Sequence, residues 1–396
     1  MRALFAVCAV LLCFAEPLLA QREARLPRRP RLAAGADTND AMAYLQHGQR
    51  TIESDAGVSA DAYYWASRLD PASADALYGR RVATLMRRQT SFKGYMEGNS
   101  RTIFSRDMRA NDSLYFRALQ IDPFVHEKHE RTVLFQYYRV AIGDGINAGE
   151  IDDYAQRQLN TASAAVRARY AAAEGRIPYA MDLYNEAINT AKDPMYLYFD
   201  RGRLSALQGL NDAAIADYQL ALEKLRTRDL NRDTLVVFYS SKALYEHSVG
   251  VLYARKGDAE KAREAFGRAM TEDLSFYPAH LELATLALAK KDTATAVSEM
   301  ALAAELAPSE GHVHFRQGEL LIALGQHADA IAPLKKAIEL EPFFASPHQL
   351  LGVALEKTGD SAGAKASYER FLALAARRHP QRGAATERLR AVGGTQ

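Results

Sequence analysis

Residues 243–378 divide into four windows of 34 residues that align without a gap, opening at Ala243, Tyr277, Gly311 and Ala345. A fixed period of this length constrains the fold more than any other feature of the chain. One such unit is too small to bury its own apolar face, so the units must stack on their neighbours. The eighth column reads Gly250, Ala284, Gly318, Gly352, and the twentieth reads Ala262, Ala296, Ala330, Ala364. The twenty-seventh reads Ala269, Ala303 and Ala337, with Phe371 in the last window. Each window holds two amphipathic stretches of about 13 residues, split by Gly257, Gly325 or Gly359, with Lys291 standing in the remaining window. Glycine just past a helix end closes it in the left-handed conformation. The small columns mark close approach of two helices. Phe266, Met300, Leu334 and Tyr368 supply the bulk between them, and Pro308 and Pro342 end second helices.

This period and small-residue code resemble the tetratricopeptide repeat, a helix–turn–helix unit. The pattern continues upstream in two further windows. Met195 opens one with Gly202, Gly209, Ala214, Tyr218 and Ala221; Thr161 opens another with Ala168, Gly175, Ala180, Tyr184 and Ala187. The resemblance implies an all-α, right-handed superhelical solenoid with six repeats over 161–378. The large residue of the fourth column is Tyr198, His280, His314 and His348, with Ala164 and Glu246 as departures. Fourteen residues separate Arg228 from Ala243, close to four turns at 3.6 residues each, which predicts a helix extension near 229–242 and one long helix over 234–255. Residues 379–396 read as a capping helix and tail, with Leu389 and Val392 facing inward.

Upstream of 161 the code degrades. Residues 40–160 read as degenerate helical hairpins with an insertion near 89–106, the first hairpin carrying Tyr63, Ala66 and Pro71 and the next resuming at Tyr115, Ala118 and Pro123. A third irregular hairpin over 124–160 turns at Gly143-Asp144-Gly145. His126, His129 and Glu130 share one helical face, expected to be polar and solvated. Residues 21–39 read as a disordered basic linker: residues 21–32 carry a charge of +4 against a total of +2, leaving an almost neutral body and no case for nucleic acid. Residues 1–20 read as a signal peptide, with Arg2, an apolar core over Ala3–Ala15 and Leu18-Leu19-Ala20 before Gln21. The apolar run is shorter than the ~20 residues of a spanning helix. Cys8 and Cys13 are the two cysteines, so the body has no disulfide and no thiol nucleophile.

The sequence has no phosphate-binding glycine loop, no Gly-x-Ser-x-Gly and no cysteine–histidine metal spacing. It predicts a non-enzymatic protein with no cofactor, no metal and no small-molecule substrate. In the resembled family, columns two, five, nine, twelve and thirteen face the concave groove. On this chain they include Arg169, Tyr196, Phe199, Arg203, Leu244, His247, Val251, Arg255, Leu281, His312, Phe315, Glu319, Gln349 and Glu356. The Lys and Asn of the family's carboxylate clamp are absent, since columns five and nine hold pairs such as Phe199 with Arg203 and Phe315 with Glu319. The implied partner is another protein or peptide, exported or membrane-anchored, held in a mostly apolar groove with a basic end at Arg169 and Arg203. The alternative is a fixed structural subunit of a larger periplasmic or membrane-associated complex, joined through its convex face and insertions. Export with cleavage after Ala20 predicts a mature chain beginning at Gln21. Mass spectrometry of the N-terminus checks this, and a retained Met1 on a membrane-bound protein overturns it.

Overall fold

A computed structural model describes residues 26–88, 106–129, 162–230 and 241–393, and among them every regular element is a helix. Six hairpins follow one another: α6 (Ala164–Ala173) with α7 (Ile177–Thr190), α8 (Met195–Leu207) with α9 (Asn211–Leu230), and α10 (Lys242–Arg255) with α11 (Ala259–Glu272). Then come α12 (Tyr277–Ala289) with α13 (Thr293–Leu306), α14 (Gly311–Ala323) with α15 (His327–Leu340), and α16 (Ser346–Lys357) with α17 (Ser361–Leu374). Close packing runs within each hairpin and between each hairpin and the next, which makes the array a helical solenoid.

The columns of the sequence have direct geometric counterparts. A Cβ added at Gly250 would stand 2.4 Å from the Phe266 ring, one at Gly318 2.5 Å from Leu334, and one at Gly352 2.5 Å from the Tyr368 ring. The eighth column is therefore where the first helix lies directly on the bulky residue of the second. Between the two helices, Gly175, Gly209, Gly257, Gly325 and Gly359 take φ of +73 to +88°, and Lys291 takes +60° in their place. Asp258, Asp292 and Asp360 then cap the second helices by accepting from the backbone N–H of Lys261, Thr295 and Gly363.

The helix predicted over 234–255 is corrected. It begins at Lys242, because Ser241 is extended (φ −96°, ψ 117°) and its hydroxyl accepts from the Leu244 N–H at 3.2 Å. A serine capping its own helix ends it there. Part of the extra length lies instead in α9, which has 20 residues against 14 in α11. Leu235 to Tyr239 lie outside the described residues, as do residues 1–20, the insertion over 89–105 and the hairpin turn at Gly143.

Upstream, α1 (Ala41–Thr51) and α2 (Ala56–Leu69) form a hairpin in which Gly48 lies against Tyr63, and α3 (Ala74–Arg88) packs on α4 (Arg106–Ile121). The short α5 (Val125–Lys128) leads into His129. The histidines there are not a solvated face. The His126 ring is bonded to the Tyr78 hydroxyl at 2.8 Å, and His129 stacks on Tyr78 and meets Asp75 at 3.0 Å. Both complete the packing of α3. Glu130 lies outside the described residues.

These first hairpins do not continue the array outward but close back on its far end. Arg117 of α4 pairs with Glu310 at 2.8 Å, and Arg68 of α2 pairs with Glu341 at 2.5 Å. The linker reading of residues 26–39 is likewise corrected. Arg29 lies over the Trp65 ring at 4.4 Å, the Trp65 indole donates to the Pro27 carbonyl, and Asp37 accepts from the Arg377 backbone N–H at 2.5 Å. Proline and arginine without apolar periodicity gave no sign of order, but an aromatic ring and a loop elsewhere in the chain receive them. At the C-terminus α18 (Arg382–Gly393) packs on α17, with Ala385 buried and Leu389 and Val392 against Phe371's cluster.

Two substitutions test this reading of the columns. Gly318→Leu forces a side chain into Leu334 and should cost ~1–3 kcal/mol. Lys291→Gly removes a left-handed lysine and should raise stability by up to about 1 kcal/mol. Thermal melts that rank them the other way would show the turn and contact columns to be misassigned.

Candidate partner-binding surface

The first helices α6, α8, α10, α12, α14 and α16 carry the residues assigned to the groove, and the fold divides these into three groups. Arg169, Tyr196, Arg255 and Glu319 are exposed. Arg203, Leu281, Phe315 and Gln349 are half-buried. Phe199, His247 and His312 are core residues, 1%, 2% and 6% exposed, and their assignment to an open groove is corrected. The reason is the tight stacking of successive first helices. Phe199 stacks face to face on Tyr245 of the next repeat at 3.7 Å, and His247 sits between the rings of Phe266 and Phe276. At Phe199 and His247 the fifth-column side chain is enclosed by the array's own rings before any partner reaches it.

The polar residues are organised into pairs. Arg169 and Arg203 do converge, 34 positions apart, on opposite oxygens of Asp200 at 2.7 and 2.6 Å. Asp200 thus offsets part of the charge of these two guanidiniums. Tyr196 stands on the same helix, 38% exposed. Arg255 lies over the Phe124 ring at 4.6 Å. Phe315 meets Phe344 edge to face at 4.9 Å, and Leu281 packs against the clusters of its own hairpin.

One site was missed from the sequence. Glu246, an anomaly in the fourth column, is 2% exposed and held by Arg226 at 2.7 Å and Arg268 at 2.9 Å. Arg226 also reaches Glu272 at 3.1 Å. Glu246, Arg226 and Arg268 line a cleft of about 550 Å³ between α9, α10 and α11, together with Gln219, Tyr253 and Lys261. The signal was available: a carboxylate in a column of large rings needs buried cations to compensate it. The other fourth-column residues stay within their hairpins or loops: His280 bonds Glu299 at 2.7 Å, and His314 meets the Pro308 carbonyl at 3.1 Å.

Burial pushes His247 down to about 4, because the cation loses its solvation and, among the described residues, neither ring nitrogen has a hydrogen-bond partner. Burial also pushes His312 down to about 4, helped by the positive charges of Arg117 and Arg316. Such rings are neutral in the folded protein at pH 7.

The tetratricopeptide-repeat family model matches residues 311–344 and 345–377. Over 69 residues the chain is 36% identical to the Hsp70-Hsp90 organizing protein of Triticum aestivum, covering 17% of this chain and 12% of that protein. It is 24% identical over 229 residues to the BBSome complex member BBS4 of Bos taurus, covering 49% and 41% respectively. The chain thus spans well under half the length of the curated relatives it matches. Among solved structures, the crystal structure of YrrB, described as a TPR protein with an unusual peptide-binding site, covers 52% of this chain and 96% of its own. It aligns at 19% identity with a TM-score of 0.38.

The buried histidines make stability depend on pH in a defined window. Their folded pKa lies below the ordinary value of about 6.5, so the unfolded chain binds protons first. Their contribution is complete above about 6.5 and is lost as the pH falls towards 4. His247→Phe, which keeps a ring between Phe266 and Phe276, should flatten the fall in melting temperature between pH 6.5 and 4.5. An unchanged slope would show that His247 does not titrate with unfolding.

Proposed function

We propose that this tetratricopeptide-repeat protein is a non-enzymatic protein-interaction scaffold of the cell envelope, exported through its N-terminal segment and acting on an exported or membrane-anchored protein. Repeats of this family hold protein segments, and the array offers a long ridge of first helices. The observation that carries the reading is the patch on α6 and α8, where exposed Arg169 and Tyr196 stand with half-buried Arg203 around one shared Asp200. An exposed tyrosine beside arginines suits a partner segment with an apolar anchor and an acidic flank, the anchor supplying most of the binding energy and the charge its orientation. The names of the relatives, an organizing protein and a member of a complex, support the same class of role.

A second reading, attachment as a fixed subunit through the outer face, is favoured by Leu274, Leu302 and Leu306. Leu274 lies in the loop after α11, and Leu302 and Leu306 in the second half of α13; they are 83%, 42% and 38% exposed. Capture from an envelope fraction separates the two. Under the groove reading, Arg169→Glu with Tyr196→Ala folds normally and loses its partner, while Leu274→Asp with Leu302→Asp retains it. The reverse pattern would transfer the binding surface to the outer face. Exclusive recovery of the protein from the cytoplasm would overturn the envelope assignment.

A further inference from the structure

The cleft between α9, α10 and α11 lies apart from the α6–α8 patch, and its walls carry charge in a fixed order. α10 forms the floor and meets both walls at two heights. At one end Glu246 is bonded by Arg226 of α9 and by Arg268 of α11. At the other, the Tyr253 hydroxyl accepts from Gln219 of α9 at 3.4 Å, and the Lys261 ammonium of α11 lies 5.6 Å from the Tyr253 ring centroid. The two walls therefore run in matching register, Gln219 opposite Lys261 and Arg226 opposite Arg268. Between these heights Glu223 of α9 and Glu264 of α11 line the cleft. Charge along the groove thus alternates: two arginines, two glutamates, then a lysine beside a tyrosine.

The internal pairs leave part of these groups unused. At the arginine end, Arg226, Arg268 and Lys242 answer two carboxylates, Glu246 and Glu272. Arg268 bonds Glu246 through Nε, and its terminal nitrogens have no hydrogen-bond partner among the described residues. Glu223 and Glu264 are exposed, and neither carboxylate has an ion-pair partner among those residues. Arg268 and Glu264 stand four positions apart on α11, a rise of about 6 Å. Alternate side chains of an extended chain are spaced by a similar ~6.6 Å.

We propose that this cleft docks an extended segment of a partner protein bearing an acidic and a basic side chain two positions apart. The carboxylate meets the free edge of Arg268, and the cation lies between Glu223 and Glu264. A purely acidic segment would set a carboxylate against the glutamates, and a purely basic one a cation against the arginines, so the mixed pair is selected. The side chains of Arg226 and Arg268 are each 43% exposed, so the contact weakens with salt.

The full chain is applied at low salt to immobilised peptides Ser-Glu-Ala-Lys-Ser, Ser-Glu-Ala-Glu-Ser and Ser-Lys-Ala-Lys-Ser. Retention by the first alone is expected. Arg268→Ala should weaken it about tenfold, the scale of one lost charge-assisted contact. Glu223→Lys with Glu264→Lys changes two exposed, unpaired side chains, so circular dichroism and melting should match the native chain. This double variant should transfer retention to Ser-Glu-Ala-Glu-Ser, an exchange that loss of structure cannot produce, and it decides the matter if Arg268→Ala fails to fold. Arg169→Glu, in the α6–α8 patch, should leave retention unchanged, so the two surfaces fail separately. Equal retention of all three peptides or of none, an unswitched preference in the double variant, or loss of retention in Arg169→Glu would overturn the assignment.

Discussion

The structure depends on one steric arrangement, a small residue of the first helix set directly on a bulky residue of the second. Gly250 on Phe266, Gly318 on Leu334 and Gly352 on Tyr368 bring the two axes so close that no Cβ fits between them. Each bulky residue is then wholly buried or nearly so, and the hairpin becomes a rigid wedge. Everything larger is a stack of these wedges. The left-handed turn between the helices is the second requirement, and the array satisfies it even where the residue is Lys291. The sequence tolerates that strain because the packing on either side leaves the chain no other path.

Stacking the wedges decides which side chains remain for a partner. The spacing between first helices is short enough for Phe199 to stack on Tyr245, so a column open in a single hairpin is closed in the array. Charges are treated the same way. Asp200, Glu246 and Glu310 each draw arginines or histidines from other turns or other repeats, and formal charge along the chain overstates what the surface presents. His247 follows from this crowding: enclosed by the rings of Phe266 and Phe276, it remains neutral because burial strips its cation of solvation.

The repeats themselves were legible because their determinants are local. Columns eight, twenty and twenty-seven and the turn glycines are each fixed by contacts within one hairpin, and a 34-residue period displays them side by side. The capping helix was legible for the same reason, from Leu389 and Val392 on one face. The start of α10 was not, since helical phase alone cannot show that the Ser241 hydroxyl prefers the Leu244 N–H to another turn of helix. Nor was the burial of Phe199 and His247, which depends on how far one first helix stands from the next.

By itself, then, the sequence determined the unit: two helices, a left-handed turn, and a close contact that admits only glycine or alanine. Only the tertiary structure decided how the units meet at a distance. The contacts of Asp37 with Arg377, Arg68 with Glu341 and Trp65 with Phe343 join residues more than 270 positions apart. No periodicity links such partners. Their meeting depends on the placement of whole hairpins relative to one another, which no local pattern records.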